Sequence, residues 1–201
     1  MVYIKQYPSR PYNKREILRY MGVSGDYNDP SINDLMDECI NIFEKETVVS
    51  NKICFSEFDL IIKGKQILLG EIFFESEKYA KKLAECEKAI VFAATVGIGI
   101  DRLIEKYSRI SPAKALAFQA IGSERIESLC DTFCDDLKNN SSFKPLQRFS
   151  PGYSDISIGF QKQIFRILNC EKNIGLTLCD SMLMSPSKSV TAIVGIKKKG
   201  K

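Results

Sequence analysis

Apolar positions along this chain switch repeatedly between helical and strand spacing. Residues 1 to 11 look irregular, with Pro8 and Pro11 among them. Asn13 stands as an N-cap before Glu16, Ile17, Leu18 and Met21, which predicts a short helix. After a turn-rich connection from Gly22 to Pro30, Ser31 opens a second helix in which Ile32, Leu35, Met36, Cys39, Ile40 and Phe43 share a face. Runs at 52–63 and 66–74 flank Lys63-Gly64-Lys65 and predict an antiparallel hairpin. Ser76 caps a further helix from Glu77 to about Glu85. Ala89 to Val96 is a near-continuous apolar run, the pattern of a buried central strand. Gly97 and Gly99 break it, and Asp101 begins a helix.

Ser111 and Pro112 start the longest helix, which runs to about Lys138. Ile126, Leu129, Cys130, Phe133 and Leu137 form its apolar stripe. Glu127 lies about a quarter-turn off that stripe, at the edge between core and solvent. Asn139 to Ser142 ends this helix, and Pro145 follows. Ile158, Gln161, Ile164, Phe165 and Leu168 predict a shorter helix. Short strands at about 175–180 and 189–196 close the chain. Helices and strands do not alternate strictly, so the pattern points to α+β rather than a doubly wound sheet. No repeat or linker divides the 201 residues, a length suited to one domain.

Charge and composition narrow the functional classes. Four of the 29 Lys and Arg lie in the tail 197–201, and the remaining 25 balance the 25 Asp and Glu. The basic character belongs to that tail, read as a solvated terminus, so no nucleic-acid surface is expected. No apolar run approaches the roughly 18 residues of a membrane span, and the N-terminal residues lack the apolar core of a secretory signal. The seven cysteines are odd in number and form no Cys-x-x-Cys pair, which suits reduced core residues in a cytoplasmic protein. Cys130 and Cys134 share a helix face but lack further ligands for zinc. The chain contains no histidine, which removes Ser-His and Cys-His catalysis, His-bound metals and an imidazole base.

The densest chemistry lies at Arg148-Phe149-Ser150-Pro151-Gly152-Tyr153. Pro151 fixes its own φ and drives Ser150 into an extended shape, while Gly152 permits a turn. Arg148 offers a planar fork for a carboxylate, and Tyr153 a flat face and a hydroxyl. Such a turn either holds an amino-acid ligand or is a structural turn in which Arg148 pairs with an acid of the fold. Other candidates are weaker. Gly97 and Gly99 fail the dinucleotide fingerprint at Arg102, and close backbone packing explains them more simply. Lys188 and Ser189 are neighbours on a strand and point to opposite faces. The acids Asp131, Asp135 and Asp136 read as solvated charge rather than a magnesium site, and Met182 and Met184 as strand packing.

Arg148-x-x-Pro151-Gly152-Tyr153, followed by Gly175-Leu176-Thr177-Leu178, Ser181, Met184-x-Pro186 and Ser189-Val190, resembles the activation domain of cobalamin (vitamin B12)-dependent methionine synthase. Upstream, Ala94-Thr95-Val96-Gly97 and Ser123-x-x-x-Glu127 are similar to its small stand-alone form. The resemblance runs from about 89 to 196, with residues 1–88 poorly matched and 197–201 a basic tail. It implies a bent antiparallel sheet with flanking helices. It also implies an S-adenosylmethionine-binding reactivation subunit that supports reductive remethylation of cob(II)alamin on a partner. Such a chain would take part in a methyltransferase reaction of methionine biosynthesis without turning over alone. The partner would be a cobalamin-binding methionine synthase subunit, with a flavodoxin- or ferredoxin-type electron donor. Cobalamin would come only through that partner, since this chain lacks the histidine that ligates cobalt in cobalamin-carrying modules. By the same resemblance, Arg148 would bind the ligand carboxylate. Ser150, Pro151 and Gly152 would shape and contact the site, Tyr153 would pack beside the ligand, and Glu127 would lie near its cationic end. Val194 and Gly195 stand where the larger enzyme has two aromatic residues and would offer backbone contacts only. An acidic contact near the start of the family domain has no aligned match, and neither Asp26 nor Asp29 is assigned to it. The alternative is a module of the same fold that docks another corrinoid methyltransferase or binds a different small ligand.

Overall fold

The computed structural model describes residues 1–23, 29–140 and 143–198. In chain order these form β1 (Tyr3–Gln6), α1 (Lys14–Tyr20), α2 (Pro30–Glu46), β2 (Lys52–Lys63), β3 (Gln66–Leu69), β4 (Ile72–Glu75) and α3 (Glu77–Leu83). Next come β5 (Lys88–Thr95), α4 (Gly99–Ser108), α5 (Pro112–Asn140) and β6 (Phe143–Pro145). A 3-10 turn at Ile158–Phe160 leads into α6 (Gln161–Leu168) and α7 (Cys170–Ile174), then β7 (Thr177–Leu178), β8 (Met184–Ser185) and β9 (Ser189–Lys198).

The fold is α+β, built on one antiparallel sheet in the order β4-β3-β2-β5-β9-β6, with β1 also paired to β2. β5 is central, as its apolar run requires. Ile90, Phe92 and Ala94 face one core, with Phe43 of α2, Ile100 of α4 and Phe133 of α5. Ala89, Val91 and Ala93 face the other, with Leu83 of α3, Ile164 of α6 and Ile174 of α7. Helices therefore cover both faces of an antiparallel sheet, and the strand between them can be apolar at nearly every position.

Several expected elements change shape. The run 66–74 is two strands, because the chain folds back at Gly70 (φ 61°), where an added Cβ would lie 2.9 Å from the Phe58 ring. α2 is capped by Asp29 rather than Ser31: its carboxylate accepts from the Ser31 amide at 2.9 Å and hydroxyl at 2.7 Å. The helix predicted from Asp101 starts at Gly99. The shorter C-terminal helix forms as the 3-10 turn and α6, and after the left-handed Asn169 (φ 46°) a further short helix, α7, follows. The strand expected at 175–180 contracts to β7, which pairs with β8 in a separate two-stranded sheet. β9 is long and lies inside the main sheet between β5 and β6. Lys197 and Lys198 extend β9 opposite Lys144 and Phe143, so these two lysines belong to the sheet rather than to a solvated tail. Lys199 to Lys201 lie outside the described residues, as do Asp26, Ser141 and Ser142.

Surface acids expected to be free are paired. Asp136 accepts from Lys5 and from Tyr7, and Asp135 accepts from Arg10 and Lys138, tying the N-terminal segment to α5. Among the described residues, no group of three or more potential ligands could hold a metal ion. No described helix is long and apolar enough to cross a membrane. All seven cysteines are free thiols, and burial pushes the Cys130 thiol well above its ordinary range.

Candidate functional site

The site is assembled around the edge of β9. Leu146 N–H donates to the Gly195 carbonyl at 2.8 Å, and Phe149 exchanges two hydrogen bonds with Ile193 at 3.0 and 2.8 Å. This ladder pins the backbone on either side of Arg148. Its side chain reaches α5, where Glu127 and Asp131 lie four residues apart on one face. One guanidinium nitrogen donates to Asp131 and another to Glu127, both at 2.5 Å. Half-burial disfavours the charge on Arg148, but the Asp131 hydrogen bond, with Cys130 and Glu127 nearby, outweighs it and holds the pKa above the ordinary arginine value. This arginine pairs with acids of the fold and also lines an open cleft.

Beyond Phe149 the chain leaves β9 and turns. Gly152 adopts φ 86°, and its N–H donates to the Ile156 carbonyl at 3.0 Å. An added Cβ there would meet Ile158 at 2.9 Å. The positive φ and this contact together call for glycine. The turn is anchored by Asp155, which accepts from the Ser76 hydroxyl at 2.6 Å and from the Glu77 and Lys78 amides at 2.8 and 3.3 Å. A carboxylate at the start of α3 thus ties the turn to the helix that carries Tyr79. The Tyr79 ring stacks on Phe149, with centroids 4.0 Å apart.

These pieces enclose a cleft of about 680 Å³, within the usual range for small-molecule sites. Arg148 and Glu127 supply its charged wall; Tyr79, Phe149, Ile158 and Met184 give aromatic and apolar surface. Ser150, Pro151 and Tyr153 line it from the turn, with Tyr153 exposed, and Lys78 and Lys82 line it from α3. Gln161 and the β9 residues Ser189, Val190 and Thr191 complete it.

Of the residues marked from sequence, Arg148, Ser150, Pro151, Tyr153 and Glu127 come together here, and Gly152 shapes the turn between them. Val194 and Gly195 do not line the cleft. Val194 is fully buried in the α5-side core, opposite Ile90 of β5. Gly195 lies against Leu83, Cys86 and Leu146, and its carbonyl is taken by Leu146 N–H. Tyr79, Asp155, Gln161 and Thr191 were not marked as site residues. Only the last two carry a signal: a glutamine on the apolar stripe of a helix and a threonine inside a β-branched strand.

The Gly97–Gly99 turn is packed shut. A Cβ on Gly97 would lie 2.9 Å from Ser50 Cβ, and one on Gly99 2.8 Å from Thr47 Cβ. Close backbone approach accounts for both glycines. The Ser189 hydroxyl donates to Thr95 Oγ1 or the Pro186 carbonyl, each at 2.8 Å, while Lys188 reaches Ser123 at 3.1 Å, so Lys188 and Ser189 do not pair with each other.

Comparison with known proteins gives a partial family match and a likeness of fold. Residues 141–201 match the family model described as vitamin B12 dependent methionine synthase, activation domain. That stretch contains the Arg148–Tyr153 turn and β9, and excludes Glu127. No curated protein matches the chain. A crystal structure of the MetH reactivation domain bound to AdoHcy superimposes with a TM-score of 0.71 at 14% identity, covering 100% of this chain and 80% of the other. The chain thus pairs the fold of a methionine synthase reactivation domain with that family's sequence pattern over residues 141–201.

Proposed function

We propose that this protein is an S-adenosylmethionine-binding reactivation subunit for a cobalamin-dependent methionine synthase, supporting reductive remethylation of cob(II)alamin on a partner protein. The supporting observation is the convergence of Arg148, Ser150, Pro151, Tyr153 and Glu127 on one cleft. The similar reactivation domain is bound to AdoHcy. When bound, S-adenosylmethionine supplies an activated methyl group, and the acceptor belongs to the partner.

The residues present fit that ligand. It carries a carboxylate, an ammonium and a sulfonium, one net positive charge. Arg148 with Glu127 and Asp131 forms a cluster of one cation and two carboxylates, one net negative charge. The ligand carboxylate takes the Arg148 fork in place of Glu127, and the released Glu127 faces the ligand's cationic end. Tyr153 supplies an aromatic face beside it. The chain's task is position and electrostatics, which requires no histidine. The cobalamin-carrying subunit and a flavodoxin- or ferredoxin-type donor complete the system.

The test is calorimetric titration with S-adenosylmethionine, with Arg148→Ala alongside. Saturable binding lost in the variant supports the reading. Absence of binding, both alone and with the cobalamin protein present, overturns it. The burial of Val194 and Gly195 favours a second reading, a module of this fold that docks another corrinoid methyltransferase or takes a different ligand. That reading expects capture of a corrinoid protein with no response to S-adenosylmethionine.

A further inference from the structure

The residues lining the cleft include a second polar feature, distinct from the Arg148 cluster. Among the described residues, two buried side-chain polar atoms have no hydrogen-bond partner: Gln161 Oε1 and Thr191 Oγ1. Both residues line the cleft. Gln161 is 5% exposed and Thr191 2%. They come from different elements, α6 and β9. Side chains alternate along a strand, so Thr191 shares a face with Ile193, which packs in the same core as Ile164 and Leu168 of α6. The hydroxyl and the amide therefore lie on the same side of the sheet. Buried polar atoms are normally paired, because leaving one unpaired forfeits its hydration for nothing. Two such atoms on residues that line one cavity mark where a ligand's polar edge belongs.

We infer that Gln161 and Thr191 are the nucleobase-reading pair of this cleft and take the 6-amino edge of a purine. Gln161 Oε1 accepts only, so it needs an N–H; the Thr191 hydroxyl can donate to a ring nitrogen. An exocyclic amine beside a ring nitrogen presents that donor and acceptor together, and glutamine suits this edge of adenine. Ile158, Met184, Tyr79 and Phe149 supply apolar and aromatic surface for a flat ring. The assignment rests on the ligand reading above and deepens it: Arg148 and Glu127 hold the amino-acid half, and Gln161 and Thr191 read the base.

The experiment titrates S-adenosylhomocysteine, and its deaminated inosine counterpart, into the unaltered protein, Gln161→Met and Thr191→Val. Thermal denaturation without ligand runs in parallel. Each substitution should weaken S-adenosylhomocysteine binding about tenfold, the scale of one hydrogen bond. Neither should lower the melting temperature, because an unpaired polar atom is replaced by an apolar one. The unaltered protein should prefer the amino compound, and Gln161→Met should erase that preference. Unchanged affinity in both variants, or no preference in the unaltered protein, overturns the assignment while leaving the ligand reading intact. No binding by the unaltered protein, alone or with the cobalamin protein, overturns both.

Discussion

Two arginines on or against α5 hold carboxylates of that helix, and they do opposite jobs. Arg125 is 2% exposed and Glu124 5%, so the pair is buried. Arg125 also donates to the carbonyls of Arg10 and Pro11, at 2.6 and 3.3 Å, and its guanidinium lies 3.9 Å from the Tyr12 ring centroid. Glu124 accepts from the Asn13 amide at 3.2 Å. This cluster fastens the N-terminal segment to the core. Arg148 is 21% exposed, and its partners Glu127 and Asp131 are 46% and 57% exposed. Its partners are acids that a charged ligand can displace, whereas those of Arg125 include fixed main-chain carbonyls. A buried pair closed by backbone is scaffold. A half-open pair on a cleft wall can exchange partners.

The largest expected effect breaks the closed pair. Arg125→Met strands Glu124 in the interior and should cost about 3–5 kcal/mol of stability, read by chemical denaturation. Ligand affinity of the protein that remains folded should be unchanged. Arg148→Ala should show the reverse pattern. Its partners are largely solvated, so stability should move by no more than about 1 kcal/mol, while calorimetry loses the ligand.

The two positive-φ turns extend the same contrast. Gly97→Ala should destabilise by about 1–2 kcal/mol from backbone strain, with further cost from displacing Ser50, and should leave binding alone. Gly152→Ala carries similar strain, but meets only the tip of Ile158. It should weaken binding as well, because the turn positions Tyr153.

The smallest effect concerns pH. The Ser76 hydroxyl, opposed by burial and aided by the α3 amides, holds the Asp155 carboxyl below its usual range. A depressed folded pKa contributes stability above the unfolded value of about 3.9, lost as pH falls through the lower folded value. Melting temperature should therefore fall below about pH 4, and less steeply in Asp155→Ala.

Local order made much of this fold legible. Asn13, Ser76 and Ser111 precede helices because their side chains accept from the first-turn amides. The Ala89–Val96 run forms the central strand because both its faces are covered. Periodicity does not reveal which strands become neighbours. β9 looked like a terminal strand, yet it pairs with β5 along most of its length and carries the turn on its other edge. Nor did spacing show that Gly70 folds one run into two strands, or that α7 follows α6 beyond Asn169.

Within the site, the turn follows from its own residues. Proline and glycine fix backbone geometry locally, so Arg148, Ser150, Pro151, Gly152 and Tyr153 could be picked out together without the rest of the fold. Which residues face that turn depends on long-range packing. Glu127 and Asp131 arrive from α5, Tyr79 through the Asp155 cap, and Gln161 and Thr191 from two elements that meet across the sheet. The same packing places Val194 and Gly195 in the interior. Chain-local geometry is encoded in a few adjacent residues. The walls of a cleft depend on long-range packing, which no single window of sequence contains.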